Sequence, residues 1–211
     1  MKQLFSVLIT MMVLDKTHAQ LGPVEFVAGD QYLHYQHSIA HSFKPNSNFG
    51  WQHIATLIKR YNTNMEKGGF PDELMNQAYV TVRIHPVLSL KGGLFYTNVG
   101  GYQPTIGLQF FAHKKNWTAI LAPRVDVVAN GSYEMFVMVE FSPSLSQKIK
   151  LYTRLQAMSN FGKENHNRSY QQLRIGFEVK GFQLGGGVTL DEYGALSKVY
   201  SNTGVFLRRM F

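Results

Sequence analysis

Charged side chains that recur at even spacing within each segment are the residues of this sequence with the clearest capacity for chemistry. On an extended strand, even spacing places such residues on one face. The set that we assign to this face comprises Arg83, Lys91, Arg124, Asp126, Glu134, Glu140, Lys150, Arg154, Arg174, Glu178 and Arg208. Both signs are interleaved, so neighbouring side chains can neutralise one another across paired strands. We therefore predict a network of ion pairs; the alternative is a basic constriction that selects anions or binds an acidic group.

Three histidines lie close together in the segment YLHYQHSIAHS. On a strand, His37 and His41 share one face while His34 lies on the other, so the three cannot converge on a metal ion. Aromatic and histidine residues near strand ends more often form a girdle at a membrane interface. We predict no metal site and no cofactor.

Serine and histidine pairs are the next candidates, because a serine nucleophile needs a histidine base within hydrogen-bond reach. The pairs His37-Ser38 and His41-Ser42 are adjacent in sequence, so the two members of each pair would point to opposite faces of a strand. His166-Asn167-Arg168-Ser169 falls in a segment that we predict to be a loop, where the geometry stays open. We predict no catalytic residue.

The elements that position these residues are β-strands with two unlike faces. In the segment 75–98, Ala78, Val80, Val82 and Ile84 alternate with polar residues, and a turn at Pro86 separates two such runs. A period of two indicates strands rather than helices. The alternation continues through the segment 182–190 and returns at residues 203–211. Asn130-Gly131 is a hairpin signal, because both residues tolerate a positive φ angle.

The first residues indicate export. Lys2 precedes an apolar run at residues 4–14, and the small residue Ala19 follows a short polar stretch. This order is typical of a secretory signal peptide, and the run is too short to span a bilayer, which takes about 20 helical residues. We predict a signal peptide at residues 1–19 and a mature domain at residues 20–211.

The composition points away from an ordinary soluble protein. Charged residues make up 16% of the chain, against roughly 25% in soluble proteins, and aromatic residues reach 13%. The absence of cysteine excludes disulfides and thiolate chemistry. The net charge of +8 fits an anionic surface or solute, and export excludes nucleic acid as a partner. Because no apolar run after residue 20 has helical spanning length, a membrane location requires strands.

Together, these features resemble bacterial outer-membrane β-barrel proteins. The resemblance rests on the export signal, the alternating strands and the last strand VFLRRMF, which closes on Phe211. The start at Gln20, the segments WQHIATLIKRY and LSLKGGLFYTNVGGY and the size are similar to small barrels of the Bacteroidota. The resemblance implies that Phe211 is part of the signal read by the barrel-assembly machinery. Arg209 stands where an apolar residue is usual on the outward face.

The connections predict the strand count and the orientation. Short turns fall on one side at Pro86 and at residues 114–116, 142–147 and 180–181. The other side receives the segments 62–74, 98–102, 160–169 and 191–199. Outer-membrane barrels have short periplasmic turns and longer external loops. The count predicts about twelve strands if the segment 24–28 is the first, and ten if one assignment is wrong.

We therefore predict an all-β chain that forms a closed antiparallel transmembrane β-barrel in the outer membrane. The predicted function is non-enzymatic: a narrow channel, or a structural or partner-binding component of an envelope assembly, with an ion-paired lumen. The alternatives are a lipid-modifying barrel enzyme and a soluble periplasmic β-protein that binds an apolar ligand, in which the apolar face would point inward. The expected partners are outer-membrane lipid and the barrel-assembly machinery, with other envelope proteins or an anionic solute as further candidates.

Overall fold

A computed structural model describes residues 22–64, 69–196 and 198–211. Within these residues, twelve antiparallel strands form a closed barrel. The strands are β1 (Val24–Gly29), β2 (Tyr32–Ser42), β3 (Phe49–Arg60), β4 (Glu73–His85), β5 (Leu88–Thr97), β6 (Gly101–Lys114), β7 (Trp117–Asp126), β8 (Tyr133–Phe141), β9 (Lys150–Phe161), β10 (His166–Val179), β11 (Phe182–Tyr193) and β12 (Lys198–Arg209). The predicted signal peptide, residues 1–19, lies outside the described residues.

Closure of the barrel depends on the short first strand. Val24 pairs with Arg209 of β12 on one side and with His37 of β2 on the other. Every described strand therefore has two hydrogen-bonded neighbours, as a transmembrane barrel requires. This confirms the prediction of a closed twelve-stranded barrel that includes the segment 24–28. In the described part of the chain, no helix is long and apolar enough to cross a bilayer.

The two faces of the strands are arranged as the predicted membrane barrel requires. Outward side chains such as Val80 and Leu184 are exposed and apolar, while most buried side chains are polar or charged, with a smaller apolar group that includes Met138 and Phe206. On β10 the contrast falls between neighbours: Ile175 is 52% exposed, whereas Arg174 is 0% exposed. A soluble barrel would bury its apolar face, so this arrangement contradicts the soluble alternative.

The two ends of the barrel differ in their connections. We call the end that carries Val24 and Arg209 the terminal end and the opposite one the loop end. Three two-residue turns lie at the terminal end, at residues 86–87, 115–116 and 180–181. In the last of these, Lys180 and Gly181 have φ angles of 52° and 78°, the two positive values that a type I′ hairpin needs.

The longest connection between strands, residues 61–72, follows β3 at the loop end. The loop end also has a short turn at residues 30–31, and the turn predicted at residues 142–147 is an eight-residue connection, 142–149, at the terminal end. Which end faces the periplasm stays a prediction.

Two predictions about the loop end are wrong. Asn130-Gly131 is not a two-residue hairpin: β7 ends at Asp126, whose backbone N–H donates to the carbonyl of Ser132 at 2.8 Å, and residues 127–132 form the connection. The segments 160–169 and 191–199 are largely strand, because β10 begins at His166 and β11 runs to Tyr193. The alternation fades there because the strands extend beyond the apolar belt, so outward and inward residues are both polar.

Candidate functional site

The interior of the barrel is the candidate site, because it collects buried charges of both signs. They form four clusters: the central cluster (Glu25, Arg154, Arg174), the wall cluster (Arg124, Asp126, Glu134), the loop-end cluster (Arg60, Glu73, Arg168, Asp191) and the terminal cluster (Glu140, Lys150, Glu178, Arg208). Each cluster contains both acidic and basic groups, as a low-dielectric interior demands.

The central cluster places one carboxylate between two guanidinium groups. Arg154 Nη2 lies 2.7 Å from Glu25 Oε1, and Arg174 Nε lies 3.4 Å from the same oxygen. All three side chains are at most 2% exposed. Arg154 stands on β9 and Glu25 on β1, four positions apart around the barrel, so this pair reaches across the lumen rather than between neighbouring strands.

Arg174 fits only because a glycine faces it. A Cβ atom at Gly187 would lie 2.5 Å from Arg174 Cδ. The guanidinium also donates from Nη1 to the carbonyl oxygens of Leu173 and Val188, both at 3.1 Å. The absence of a side chain at Gly187 therefore gives Arg174 its path along the wall of the barrel.

The wall cluster is held by a bidentate ion pair between neighbouring strands. Arg124 Nε and Nη2 donate to the two carboxylate oxygens of Glu134 at 3.0 and 2.9 Å, and Nη1 donates to Asp126 at 2.7 Å. The guanidinium carbon of Arg124 lies 3.8 Å from the centre of the Phe95 ring, within cation–π range. Lys91 is also buried here, with Nζ 4.9 Å from the centre of the Tyr79 ring.

The loop-end cluster crosses the full width of the lumen. Arg168 on β10 donates from Nη1 to Glu73 on β4 at 2.7 Å and from Nη2 to Asp191 on β11 at 2.8 Å. Strands β10 and β4 are six positions apart in a ring of twelve, so they stand on opposite walls. Arg60 and the Tyr193 hydroxyl donate to the second oxygen of Glu73 at 2.5 and 2.6 Å. These contacts span the lumen at this end.

The terminal cluster is the most exposed of the four. Arg208 pairs with Glu140 at 2.8 Å, and its side chain is 3% exposed. Lys150 pairs with Glu178 at 3.0 Å, but the Lys150 side chain is 49% exposed. Arg83 is exposed and donates to the Ser47 carbonyl at 3.3 Å. Lys150 and Arg83 therefore lie at the rim rather than among the buried charges, because both stand where their strands meet the terminal end.

Sequence reasoning missed five of the fourteen members of these four clusters. Glu25, Arg60, Glu73, Arg168 and Asp191 were not assigned to the inward face. Three of them lie in segments predicted as loops, and the other two lie in strands whose faces were not assigned. Their spacing could have placed two of them on the inward face. Asp191 is an even number of residues from Thr189, and Arg168 is an even number from Arg174, so each pair shares a face on a regular strand.

A cavity of about 380 Å³ remains between the clusters. Apolar side chains, among them Ile54, Phe136 and Met138, line part of it, and Arg154 and Glu25 line another part. The lining extends to Met210 at the terminal end, and it includes Arg168 and Asp191 of the loop-end cluster at the other. The cavity is therefore roomy enough for water or a small ligand, and residues of the loop-end cluster form part of its boundary.

The predicted histidine segment divides between the two faces. His34 is buried in the interior, whereas His37 lies on the outer face. There the Tyr35 hydroxyl, His37, His53 and Asn76 form a continuous chain of hydrogen bonds of 2.7, 2.7 and 3.0 Å. The chain crosses β2, β3 and β4, and each polar group in it finds a partner, as a lipid-facing surface requires.

Several solved structures resemble this barrel over most of its length. The KdgM porin aligns with a TM-score of 0.50 at 11% identity, covering 90% of this chain and 98% of that one. The fold is that of an outer-membrane β-barrel. A NanC porin structure aligns at 0.48 and 10% identity, covering 90% of this chain and 98% of that chain, and LpxR from Salmonella typhimurium at 0.47 and 7%, covering 90% and 99%.

No family model matches the chain, and no curated protein matches it. At identities this low, the similar structures show the fold alone. The apolar outer surface and this fold agree with the predicted outer-membrane location. None of these matches supports the resemblance to Bacteroidota barrels, which stays a prediction.

Proposed function

We propose that this chain is an outer-membrane barrel whose lumen is closed by ion pairs, and that it serves as a structural or partner-binding component of the envelope. The observation that carries the proposal is the bridge from Arg168 to Glu73 and Asp191, which joins opposite walls of the barrel. A conducting pore needs a continuous wet path, and this bridge crosses that path.

The packing around the bridge supports a closed lumen. The guanidinium carbon of Arg60 lies 5.1 Å from the ring centre of Tyr32, 5.2 Å from that of Phe70 and 5.7 Å from that of Tyr193. Aromatic rings and ion pairs therefore fill the loop end together. The central cluster adds a further contact across the lumen, from Glu25 on β1 to Arg154 on β9.

A narrow anion-selective channel is the second candidate, and the cavity favours it. Its lining carries four arginines and Lys91 against four carboxylates, and it extends to the exposed side chain of Met210 at the terminal end. Rings of arginine favour anionic solutes. In this case, movement of the loop-end cluster would open the path.

An efflux assay separates the two candidates. Lipid vesicles loaded with chloride and carrying the wild-type barrel should leak no faster than empty vesicles. The double variant Glu73→Ala with Arg168→Ala removes both charges together with their bulk, and it should release chloride measurably. Lys59→Gln, which breaks an exposed ion pair with Asp72, is the control and should leave the vesicles tight. Rapid chloride release through the wild-type barrel would support the channel instead.

A further inference from the structure

A histidine and a serine meet on the outer surface of the barrel at the loop end. His166 Nε2 lies 2.9 Å from Ser169 Oγ, and the Ser169 and Ser159 hydroxyl oxygens are 2.9 Å apart. The other ring nitrogen, His166 Nδ1, lies 3.0 Å from the carbonyl oxygen of Gly194. The residues come from β10, from β9 and from the connection after β11.

A β-bulge brings the two side chains to one face. Residues three apart on a regular strand point to opposite faces, as the sequence spacing of His166 and Ser169 predicts. The pairing of β10 with β9 shifts register between His166 and Arg168, which adds one residue to the count. Bulges of this kind re-aim side chains and are frequent beside active sites. Arg168 consequently points into the loop-end cluster while Ser169 points outward.

The contact with Gly194 determines which tautomer a neutral His166 ring adopts. A carbonyl oxygen can only accept, so the proton of a neutral His166 ring lies on Nδ1 and is donated to Gly194. Nε2 is then free to accept the proton of the Ser169 hydroxyl, which has Ser159 Oγ as its other acceptor within reach. A nucleophile, a base and a group that orients the base are the three parts of an activated serine.

The surroundings indicate the substrate class. Tyr133 and Phe161 stack with ring centres 5.6 Å apart, and the Phe161 ring lies 5.2 Å from His166. Further along β10 and β11 toward the terminal end, Leu173 and Leu190 belong to the exposed apolar belt. The pair therefore lies where the apolar belt gives way to polar outward residues, beside an aromatic surface that suits an acyl chain.

We propose that Ser169 and His166 form a nucleophile–base pair that cleaves acyl esters at the membrane interface. Ser169 Oγ attacks the ester carbonyl while His166 Nε2 takes the hydroxyl proton. The tetrahedral intermediate collapses with cleavage of the carbonyl–alkoxy bond, and His166 returns the proton to the departing alcohol. Water, activated by the same nitrogen, then hydrolyses the acyl-serine to a carboxylic acid. This activity uses the outer surface and does not depend on whether the lumen is closed.

A fluorophosphonate probe tests the nucleophile directly, because it phosphonylates an activated serine with release of fluoride. The purified, folded full-length barrel in detergent micelles should be labelled by this probe on the peptide that carries Ser169. In a second assay, the same protein should release p-nitrophenol from a long-chain p-nitrophenyl ester added to the micelles. Ser169→Ala should abolish both signals, and His166→Gln should lower both at least tenfold. Ser201→Ala, which removes another exposed strand serine near the loop end, should change neither.

Each outcome bears on the proposal once folding is checked by heat-modifiable gel mobility. The proposal is supported if labelling and ester cleavage are lost in Ser169→Ala and kept in Ser201→Ala. A folded wild-type barrel that takes no label and cleaves no ester overturns it, and so does equal labelling of the Ser169→Ala variant. If Ser169→Ala fails to fold, the position of the label in the wild-type protein, read by mass spectrometry, decides the matter.

Discussion

Arg168 on β10 and Glu73 on β4 meet across the whole barrel, with Nη1 2.7 Å from Oε2, although 95 residues separate them in sequence. The contact is possible because both strands extend beyond the apolar belt and turn their polar residues inward at the same level. It shows that long side chains from opposite walls can meet inside a barrel of twelve strands.

The first prediction concerns the central cluster. Glu25→Gln removes the carboxylate that neutralises Arg154 and Arg174, both of which are fully buried. Breaking a buried pair by removing one partner should cost about 3–5 kcal/mol of unfolding free energy. Urea unfolding in detergent micelles, followed by tryptophan fluorescence, measures the change.

Lys150→Gln is the matched control, because the ion pair of Lys150 with Glu178 is half exposed. It should cost about 0–1 kcal/mol. Equal small losses for both variants would mean that the lumen is wet around Glu25.

A second prediction concerns the space beside Arg174. In Gly187→Ala the new methyl group would lie 2.5 Å from Arg174 Cδ and 2.9 Å from a backbone oxygen, so either the arginine or the strand must move. We expect a loss of about 1–3 kcal/mol in the same unfolding experiment. Gly186→Ala points outward, where the nearest atom is 3.9 Å away, and should be nearly neutral. A neutral Gly187→Ala variant would contradict the assigned path of Arg174.

How far the sequence predicts this fold depends on where the two faces differ. Between Leu173 and Val179 the outward residues are apolar and the inward ones polar, so alternation alone predicts the strand and its facing. Near His166 and Ser169 both faces are polar, and the same reasoning predicts a loop where the structure has β10. The bulge there is set by pairing with β9, which no local pattern encodes.

The charge network likewise could be predicted from the sequence only in part. Arg124 and Glu134 lie on consecutive strands that both carry inward charges, so alternation predicts that they lie near each other, and the observed register sets them directly opposite. Glu25 and Arg154 lie 129 residues apart and four strands apart around the barrel, so their contact depends on barrel closure and diameter. Periodicity predicts which residues face the lumen, whereas the partner of each charge across the lumen follows only from the closed structure.

A third prediction tests the membrane-facing surface. Ile175 is exposed on the outer face of β10, within the apolar belt. Ile175→Arg should destabilise the barrel by about 2–4 kcal/mol in lipid vesicles if the residue lies near the midplane. Thr118→Gln, at the terminal rim of the lumen, should stay within about 0.5 kcal/mol of the wild type. The opposite order of sensitivity would mean that this face does not contact lipid.

The fourth prediction concerns the last residue. Phe211 follows the end of β12, and the guanidinium carbon of Arg209 lies 4.8 Å from the centre of its ring. If Phe211 is read by the barrel-assembly machinery, its deletion should lower the amount of heat-modifiable barrel in the outer membrane. Processing of residues 1–19 should be unaffected. An equal yield of folded barrel without Phe211 would contradict a role of this residue in recognition by the assembly machinery.

Single-channel recording in planar lipid bilayers tests the closed lumen most directly. The wild-type barrel, inserted at low density with folding verified by gel mobility, should show almost no conductance, because Arg168 bridges Glu73 and Asp191 across the path. Glu73→Ala with Arg168→Ala should add discrete openings that the Lys59→Gln control lacks. A large, stable, anion-selective conductance from the wild-type barrel would contradict the account.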